Sequence, residues 1–290
     1  MPTVRVPATS ANLGPGFDSM GLALDIWDEV SAASVERGPS TIEVSGVGAN
    51  TVPRDESNLI LRAMRAGCLE FGVDPRPVRL ICRNRIPHAR GLGSSAAAIC
   101  AGLVLARDIA ALSVDDTALL DLASRIEGHP DNVAACLRGG LTIAWTNPAG
   151  IGVVRLDATG FSPVVFVAPI ESSTEQTRAL LPANVPHADA TSNAARAALL
   201  VTALTGHAEH LLDATEDSLH QPYRAPAMPE SADLVHELRA AGVPAVISGA
   251  GPSVLTFCRD ADEMSRAYAL APEGWQVVPT AVAGAGATRP

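Results

Sequence analysis

Residues 91–106, GLGSSAAAICAGLVLA, are the longest weakly polar run in the chain, and the run stops at Arg107. As a helix it would span about 24 Å, short of the ~30 Å hydrocarbon core of a bilayer. It therefore reads as a helix buried inside a globular protein, around which the rest of the chain must fold. With 290 residues, 47% hydrophobic and 18% charged, the chain can bury such a core. At roughly 100–200 residues per domain, this length suggests two domains, with a soft boundary near 155–165. The first ten residues are polar and β-like and lack an apolar stretch, so no signal peptide is expected. No partner membrane is expected either.

The flanking pattern alternates strands and helices. Strand character is read at 4–7, 22–30, 41–44, 78–82, 141–145, 164–168 and 254–257. Helices are predicted over 58–71, 95–112, 115–126, 174–181, 192–205, 208–217 and 232–241, with a short one ending at Gly139-Gly140. Residues 10–16, 87–94, 128–131 and 248–253 read as loops, 147–160 as turn-rich and 222–229 as a proline-punctuated loop. The small-residue tail, 282–290, reads as disordered. The class is α+β.

Composition narrows the chemistry. The chain has no lysine: all 21 positive side chains are arginine, against 31 Asp plus Glu, for a net charge of −10. An Ala/Arg/Gly bias accounts for this, yet the exclusions hold whatever the cause. Schiff-base catalysis, a Walker A loop and the protein-kinase lysine are all ruled out. The acidic balance and only ten aromatic residues argue against a nucleic-acid partner. Five scattered cysteines with no CxxC pair suggest neither a zinc knuckle nor a disulfide framework, and fit a reduced, cytoplasmic setting.

Four segments carry polar chemistry. In residues 87–98, Gly91 and Gly93 allow close backbone approach, and Ser94 and Ser95 then open the apolar helix. The free N–H groups of that first turn, with the helix dipole behind them, make an anion site that needs no lysine. A plain glycine turn with a serine cap explains the same residues. Residues 127–132 pack Glu127, His129, Asp131 and Asn132 into a break between helices, where carboxylate oxygens suit Mg²⁺. Residues 7–18 are a strand end running into a loop of small polar residues, and 248–253 are a second glycine-rich loop; each alone could be an ordinary turn.

In this order, PATSANLGPGFDSMGLAL (7–24), IPHARGLGSSAA (86–97), EGHPDNVAACLRGG (127–140) and ISGAGPSV (247–254) resemble the GHMP kinase family over nearly the whole chain. The first and third resemble its homoserine-phosphorylating members most specifically. The resemblance implies a two-lobed fold. A ribosomal S5 domain 2-like N-terminal lobe (1–160) would carry the ATP phosphate loop, and a ferredoxin-like C-terminal lobe (161–290) would close the cleft. It implies a magnesium-dependent, ATP-binding transferase that phosphorylates the side-chain hydroxyl of L-homoserine in amino-acid (threonine) biosynthesis. Pro87, His88, Ala89, Arg90, Gly91, Leu92, Gly93, Ser94, Ser95, Ala96 and Ala97 would wrap the nucleotide phosphates, with Ser95 and Glu127 as Mg²⁺ ligands. Asn12, Asp18, His129, Asp131, Thr174, Arg178 and Arg224 would surround the substrate, with Glu127, Asp131 and Arg178 catalytic. Asp131 would either remove the hydroxyl proton or orient the substrate, and orientation is favoured. Arg90 would add charge against the phosphates or face solvent. Departures are few: Thr177 is often a small residue in relatives, and Arg90 lies where relatives vary.

Other readings are another family member of the mevalonate-pathway or sugar type, a non-catalytic ligand sensor on the same fold, or an RNA-binding S5-like module. A homodimer is expected from size and class alone. His207 and His210 read as a solvated face.

Overall fold

The computed structural model describes residues 1–289; Pro290 lies outside the described residues. In chain order the elements are β1 (Thr3–Ala11), β2 (Met20–Ser34), β3 (Thr41–Gly46), α1 (Leu59–Glu70), β4 (Val78–Asn84), α2 (Ser94–Ile109), α3 (Asp116–Glu127) and α4 (Asp131–Arg138). There follow β5 (Leu141–Asn147), β6 (Gly150–Leu156), β7 (Ser162–Val167), α5 (Thr174–Arg178), α6 (His187–Leu204), α7 (Leu211–Ala214), α8 (Gln221–Arg224) and α9 (Pro229–Ala240). The chain ends with β8 (Ala245–Ile247), β9 (Val254–Cys258), α10 (Ala261–Ala269) and β10 (Gln276–Pro279).

The first six strands form one sheet in the order β3-β4-β2-β5-β6, with β1 paired along β2. Only β3 and β4 run parallel. α2 lies buried at the centre of this half, packed on α1, α3, α4 and β1. Ten of its residues, from Ala96 to Ala106, are buried. That is the fate expected of the apolar run at 91–106.

The chain leaves this sheet at Leu156 and enters a second at Ser162. The second sheet has the order β10-β7-β9-β8, antiparallel throughout. Strand, helices, two strands, helix, strand is the split-βαβ arrangement of ferredoxin-like folds. Alternation explains why 164–168 carries no polar residue. Val164 and Phe166 face a core shared with α9, while Val165 and Val167 face the larger core that also holds Leu200 and Leu204 of α6.

Several expectations are corrected. β1 does not end at residue 7 but runs to Ala11, because Thr9 and Ser10 are buried with hydrogen-bond partners for their hydroxyls. The turn-rich 147–160 contains β6, hairpin-paired to β5. Residues 208–217 are a 3₁₀ turn followed by the four-residue α7, not one helix. The proline-punctuated 222–229 is α8 and a further 3₁₀ turn, with prolines in first-turn positions where their missing N–H costs nothing. The tail is ordered through the described residues. Ala283 N donates to Ala23 O, Ala287 N to Cys136 O, and Arg5 and Thr288 exchange two backbone hydrogen bonds. A periodicity search misses such a segment, because Ala and Gly carry no pattern while their backbones still pair.

Candidate active site

β4 delivers the chain into the loop before α2. The buried Asp28 carboxylate on β2 accepts from Arg85 N (2.6 Å) and Ile86 N (2.9 Å), fixing the loop's start. Leu92 is buried beneath it, and its carbonyl accepts from Thr9 N. Gly91 and Gly93 have φ of 72° and 67°, and a Cβ would strike the Ser248 carbonyl oxygen at the first and the Thr9 hydroxyl at the second. These two positions require glycine. Gly93 is the N-cap of α2, and no side chain caps the first turn. The N–H groups at Ser94 and Ser95 are thereby left for an anion.

The predicted loop residues divide. Ala89, Arg90, Gly91, Gly93, Ser94 and Ser95 line the central cleft. His88 and Ala97 line an adjoining cavity of about 430 Å³, which also shares Ala89, Ser94 and Ser95. Leu92 and Ala96 lie in the core under the loop. Pro87 lines neither space. Arg90 neither aims at the anion site nor faces solvent: its guanidinium donates to the carbonyls of His88 (2.8 Å), Ala168 (2.8 Å) and Pro169 (2.9 Å), clamping the loop to the end of β7.

α3 ends at Glu127, with Gly128 as its left-handed cap, and α4 begins at Asp131. The break turns three polar side chains toward the cleft. Ser95 Oγ donates to Glu127 Oε1 at 2.5 Å. Burial pushes the Glu127 carboxyl up, against the Ser95 hydrogen bond and the nearby His129, and Asp131 adds to the upward push. Asp131 is buried, and its Oδ1 takes hydrogen bonds from His129 Nδ1 (2.6 Å) and Asn132 N (2.7 Å). Burial works against a charged His129, but the hydrogen bond and charge of Asp131 outweigh it and hold the imidazole above its ordinary value. Asn132 Oδ1 in turn accepts from Thr9 Oγ1 (2.8 Å).

The loop after β1 holds Asn12, Leu13 and Asp18 at positive φ (68°, 51° and 53°). Non-glycine residues rarely occupy this region, and they do so most often at functional sites. Asn12 Nδ2 donates to Gly249 O (2.9 Å), and its Oδ1 accepts from Asp18 N (3.0 Å). Arg178 of α5 meets Asp18 through two parallel hydrogen bonds, both 2.7 Å. The Asp18 carboxylate raises the guanidinium above its ordinary range. Thr174 opens α5 at the cleft rim, and the buried Thr177 hydroxyl donates to the carbonyls of Ser173 and Thr174. Arg224 on α8 is 1% exposed, and its Nε–H has no partner among the described residues.

All the predicted substrate and metal residues thus line one cleft: Asn12, Asp18, Ser95, Glu127, His129, Asp131, Thr174, Arg178 and Arg224. The glycine-rich loop 248–253 closes it, Ser248 Oγ lying 2.8 Å from Ser10 Oγ and 2.7 Å from Gly91 O. By contrast, His207 and His210 sit away on an exposed turn beside Glu209. The sequence reading missed the 430 Å³ cavity, whose wall includes Asp28, Val52, Pro53 and Asn84. It also missed Phe17 and His220, which pack beneath the arginines. Nothing in residue type flags these positions; only the fold brings 28, 52–60 and 84 together.

Ser95 and Glu127 give two hard oxygen donors in contact, and no cluster of three His, Cys, Asp or Glu suited to a metal occurs among the described residues. That donor set fits Mg²⁺, which takes one or two carboxylates and leaves other positions to phosphates and water. It does not fit an all-protein metal cage. No helix among the described residues is long and apolar enough to cross a membrane.

Comparison with known proteins agrees with this geometry. Residues 58–140 match the family model of the GHMP kinase N-terminal domain, and 195–274 that of the GHMP kinase C-terminal domain. The homoserine kinase of Streptomyces avermitilis is 55% identical, covering 94% of this chain and 90% of its own length. That of Clavibacter michiganensis is 49% identical, with 93% and 86% covered. A solved structure of a putative homoserine kinase from Listeria monocytogenes superposes with a TM-score of 0.79 at 28% identity, covering 100% of this chain and 99% of that one. Together with the glycine-rich loop and the cleft it lines, these matches establish that the chain belongs to the GHMP kinase family.

Proposed function

We propose that this chain transfers the γ-phosphoryl group of ATP to the side-chain hydroxyl of L-homoserine, giving ADP and O-phospho-L-homoserine, a step in threonine biosynthesis. Membership of a kinase family implies ATP use, and relatives about half identical to it are homoserine kinases. The observation that carries the substrate is the Asp18–Arg178 pair with the Arg224 guanidinium beside it, over the same Phe17 ring and lining the same cleft. An α-amino acid is itself a paired ammonium and carboxylate. It can exchange partners with such a pair, its ammonium meeting Asp18 and its carboxylate a guanidinium fork. Mevalonate or a sugar offers no ammonium for Asp18, which weakens those readings.

In this reading the nucleoside occupies the 430 Å³ cavity, and the phosphates run over the uncapped start of α2. Ser95 and Glu127 would hold Mg²⁺. Bound there, Mg²⁺ would neutralise charge on the phosphates. Phosphoryl transfer then asks the protein mainly for positioning. The new O–P bond forms as the bond to the ADP oxygen breaks, and the hydroxyl proton passes to an oxygen of the transferred phosphoryl group. With Oδ1 already accepting two short hydrogen bonds, Asp131 acts chiefly to orient the hydroxyl through its other oxygen. Residues 1–160 and 161–290 serve as the two lobes, apart from the tail that recrosses the first sheet. The same reading has the enzyme working in the cytoplasm as a homodimer, which sedimentation of the purified protein checks.

A coupled ADP-release assay with L-homoserine, L-threonine, L-serine, mevalonate and galactose tests the assignment. Turnover highest with L-homoserine is expected. Turnover with mevalonate or galactose but not L-homoserine would overturn it, and none with any alcohol would favour a ligand sensor.

A further inference from the structure

Under the substrate end of the cleft lies a stack of side chains that the reaction, as described, leaves unused. Phe17 stacks on His220 with ring centroids 5.0 Å apart. The guanidinium carbons of Arg178 and Arg224 lie 5.5 and 5.3 Å from the centre of the same Phe17 ring. His220 is fully buried, and its two ring nitrogens face opposite kinds of neighbour. Nε2 lies 2.9 Å from Gly14 O and 3.5 Å from Asp217 Oδ2, both acceptors. Nδ1 lies 3.4 Å from Arg224 Nη1, which can only donate. Both sides therefore demand one form of the ring: neutral, with hydrogen on Nε2 and the lone pair on Nδ1.

We propose that His220 is a positioning residue for this kinase: its Nδ1 lone pair holds the Arg224 guanidinium, through Nη1, in the orientation that presents Nη2 to the cleft and so to the substrate carboxylate. This rests on the reading of Arg224 as a substrate ligand. Arg224 has few other anchors, since Nη1 also reaches Gly249 O only at 3.4 Å. A protonated His220 would lose the lone pair and turn an N–H toward the guanidinium. The charged groups around the ring are Asp217 and Arg224 at close range and Asp18 farther off, with Arg178 across Phe17. Burial pushes the imidazole below its ordinary value; Asp217 opposes this and Arg224 reinforces it. The folded enzyme thus keeps the ring neutral at pH 7.

Two substitutions separate the ring's two bonds. In His220→Asn the side-chain oxygen takes the Nδ1 position and can still accept from Arg224. In His220→Gln the amide takes the Nε2 position, keeping the Gly14 bond and losing the acceptor. With the full-length enzyme, His220→Gln should raise the KM for L-homoserine about tenfold or more, and His220→Asn by no more than about threefold. The KM for ATP should stay within about twofold in both. An unchanged homoserine KM in His220→Gln, or parallel rises of both KM values in both variants, would overturn the proposal. A long-range ¹H–¹⁵N spectrum of the wild-type imidazoles gives a readout independent of turnover and of either variant's stability. The signal of a buried His220 should show the Nε2–H form from pH 6 to 8, and an Nδ1–H or doubly protonated ring would overturn the proposal. If the wild type fails to phosphorylate L-homoserine at all, the functional reading falls, while the spectrum still decides the His220–Arg224 contact.

Discussion

Glu127 is held in the folded protein at a desolvation cost that the Ser95 hydrogen bond and nearby His129 offset only in part. Its carboxyl is raised by burial, so the folded state keeps a proton that the unfolded chain has already lost. Stability therefore falls as pH rises from the ordinary glutamate value through the raised one, and the ionised form above it is a standing strain. Glu127→Gln should raise the Tm of the ligand-free protein at pH 7.5 by about 1–3 °C while lowering kcat at least a hundredfold. Calorimetry with a turnover assay checks both, and a variant of normal activity would remove Glu127 from the reaction. Arg178→Lys tests the other end. A lysine cannot make the two parallel bonds that Arg178 makes to Asp18, so the homoserine KM should rise about tenfold with the ATP KM near wild type. At this scale Glu127, His129 and Asp131 were legible in the sequence itself, because Glu and His join turn residues that a turn alone would not need, whereas Asp18, Arg178 and Arg224 stood out only through the resemblance to the family. Phe17 and His220 were legible in neither way, because their work is to hold other side chains. The fate of Arg90 was equally hidden: a guanidinium beside a phosphate loop looks like an anion ligand until three carbonyls are seen to occupy it.

Among the elements, α2 and the loop before it decide the site. The apolar run gave the helix, and its glycines gave the loop, because close approach and positive φ leave their mark in residue type. Gly91→Ala should cost about 1–2 kcal/mol from backbone conformation alone, and more from the clash with the Ser248 carbonyl. It should also raise the ATP KM severalfold, since the clash pushes apart the two loops proposed to flank the phosphates. Thermal melts and steady-state kinetics read the two effects separately, and an unchanged ATP KM would free the loop from the nucleotide. The strands were less legible. β1 extends through Thr9 and Ser10 because their hydroxyls find partners on α4 and on the loop after β8, contacts that no local window contains. β10 escaped notice for the same reason, since its partner β7 lies more than 100 residues back; β6, hairpin-paired to β5, was instead read through as turns.

Across the whole molecule, the second sheet's two-sided burial was foreshadowed by the unbroken apolar strand at 164–168, whereas the path of the tail was not. After β10 the chain returns to the first sheet, where Asp25 N donates to Ala281 O, Gly140 N to Ala283 O and Thr288 N to Arg5 O. Leu24 and Val282 form an isolated bridge, and Arg289 reaches Asp108 at the end of α2. Removing residues 281–290 should lower the Tm by roughly 5–10 °C, at about 1 kcal/mol for each backbone hydrogen bond lost. An unchanged melt would mean the tail adds nothing to the core. The tail also imposes an order on synthesis. The first sheet has all its strands once Leu156 is made, yet the segment that bridges β1 and β2 follows only after the entire second sheet. At ribosomal speeds of about 5–20 residues per second, the early half waits on the order of ten seconds for its last contacts. During that interval the β1 edge and the Gly139–Gly140 corner of a nascent chain are open to chaperones, and a pause in translation shortly before codon 281 would lengthen their exposure.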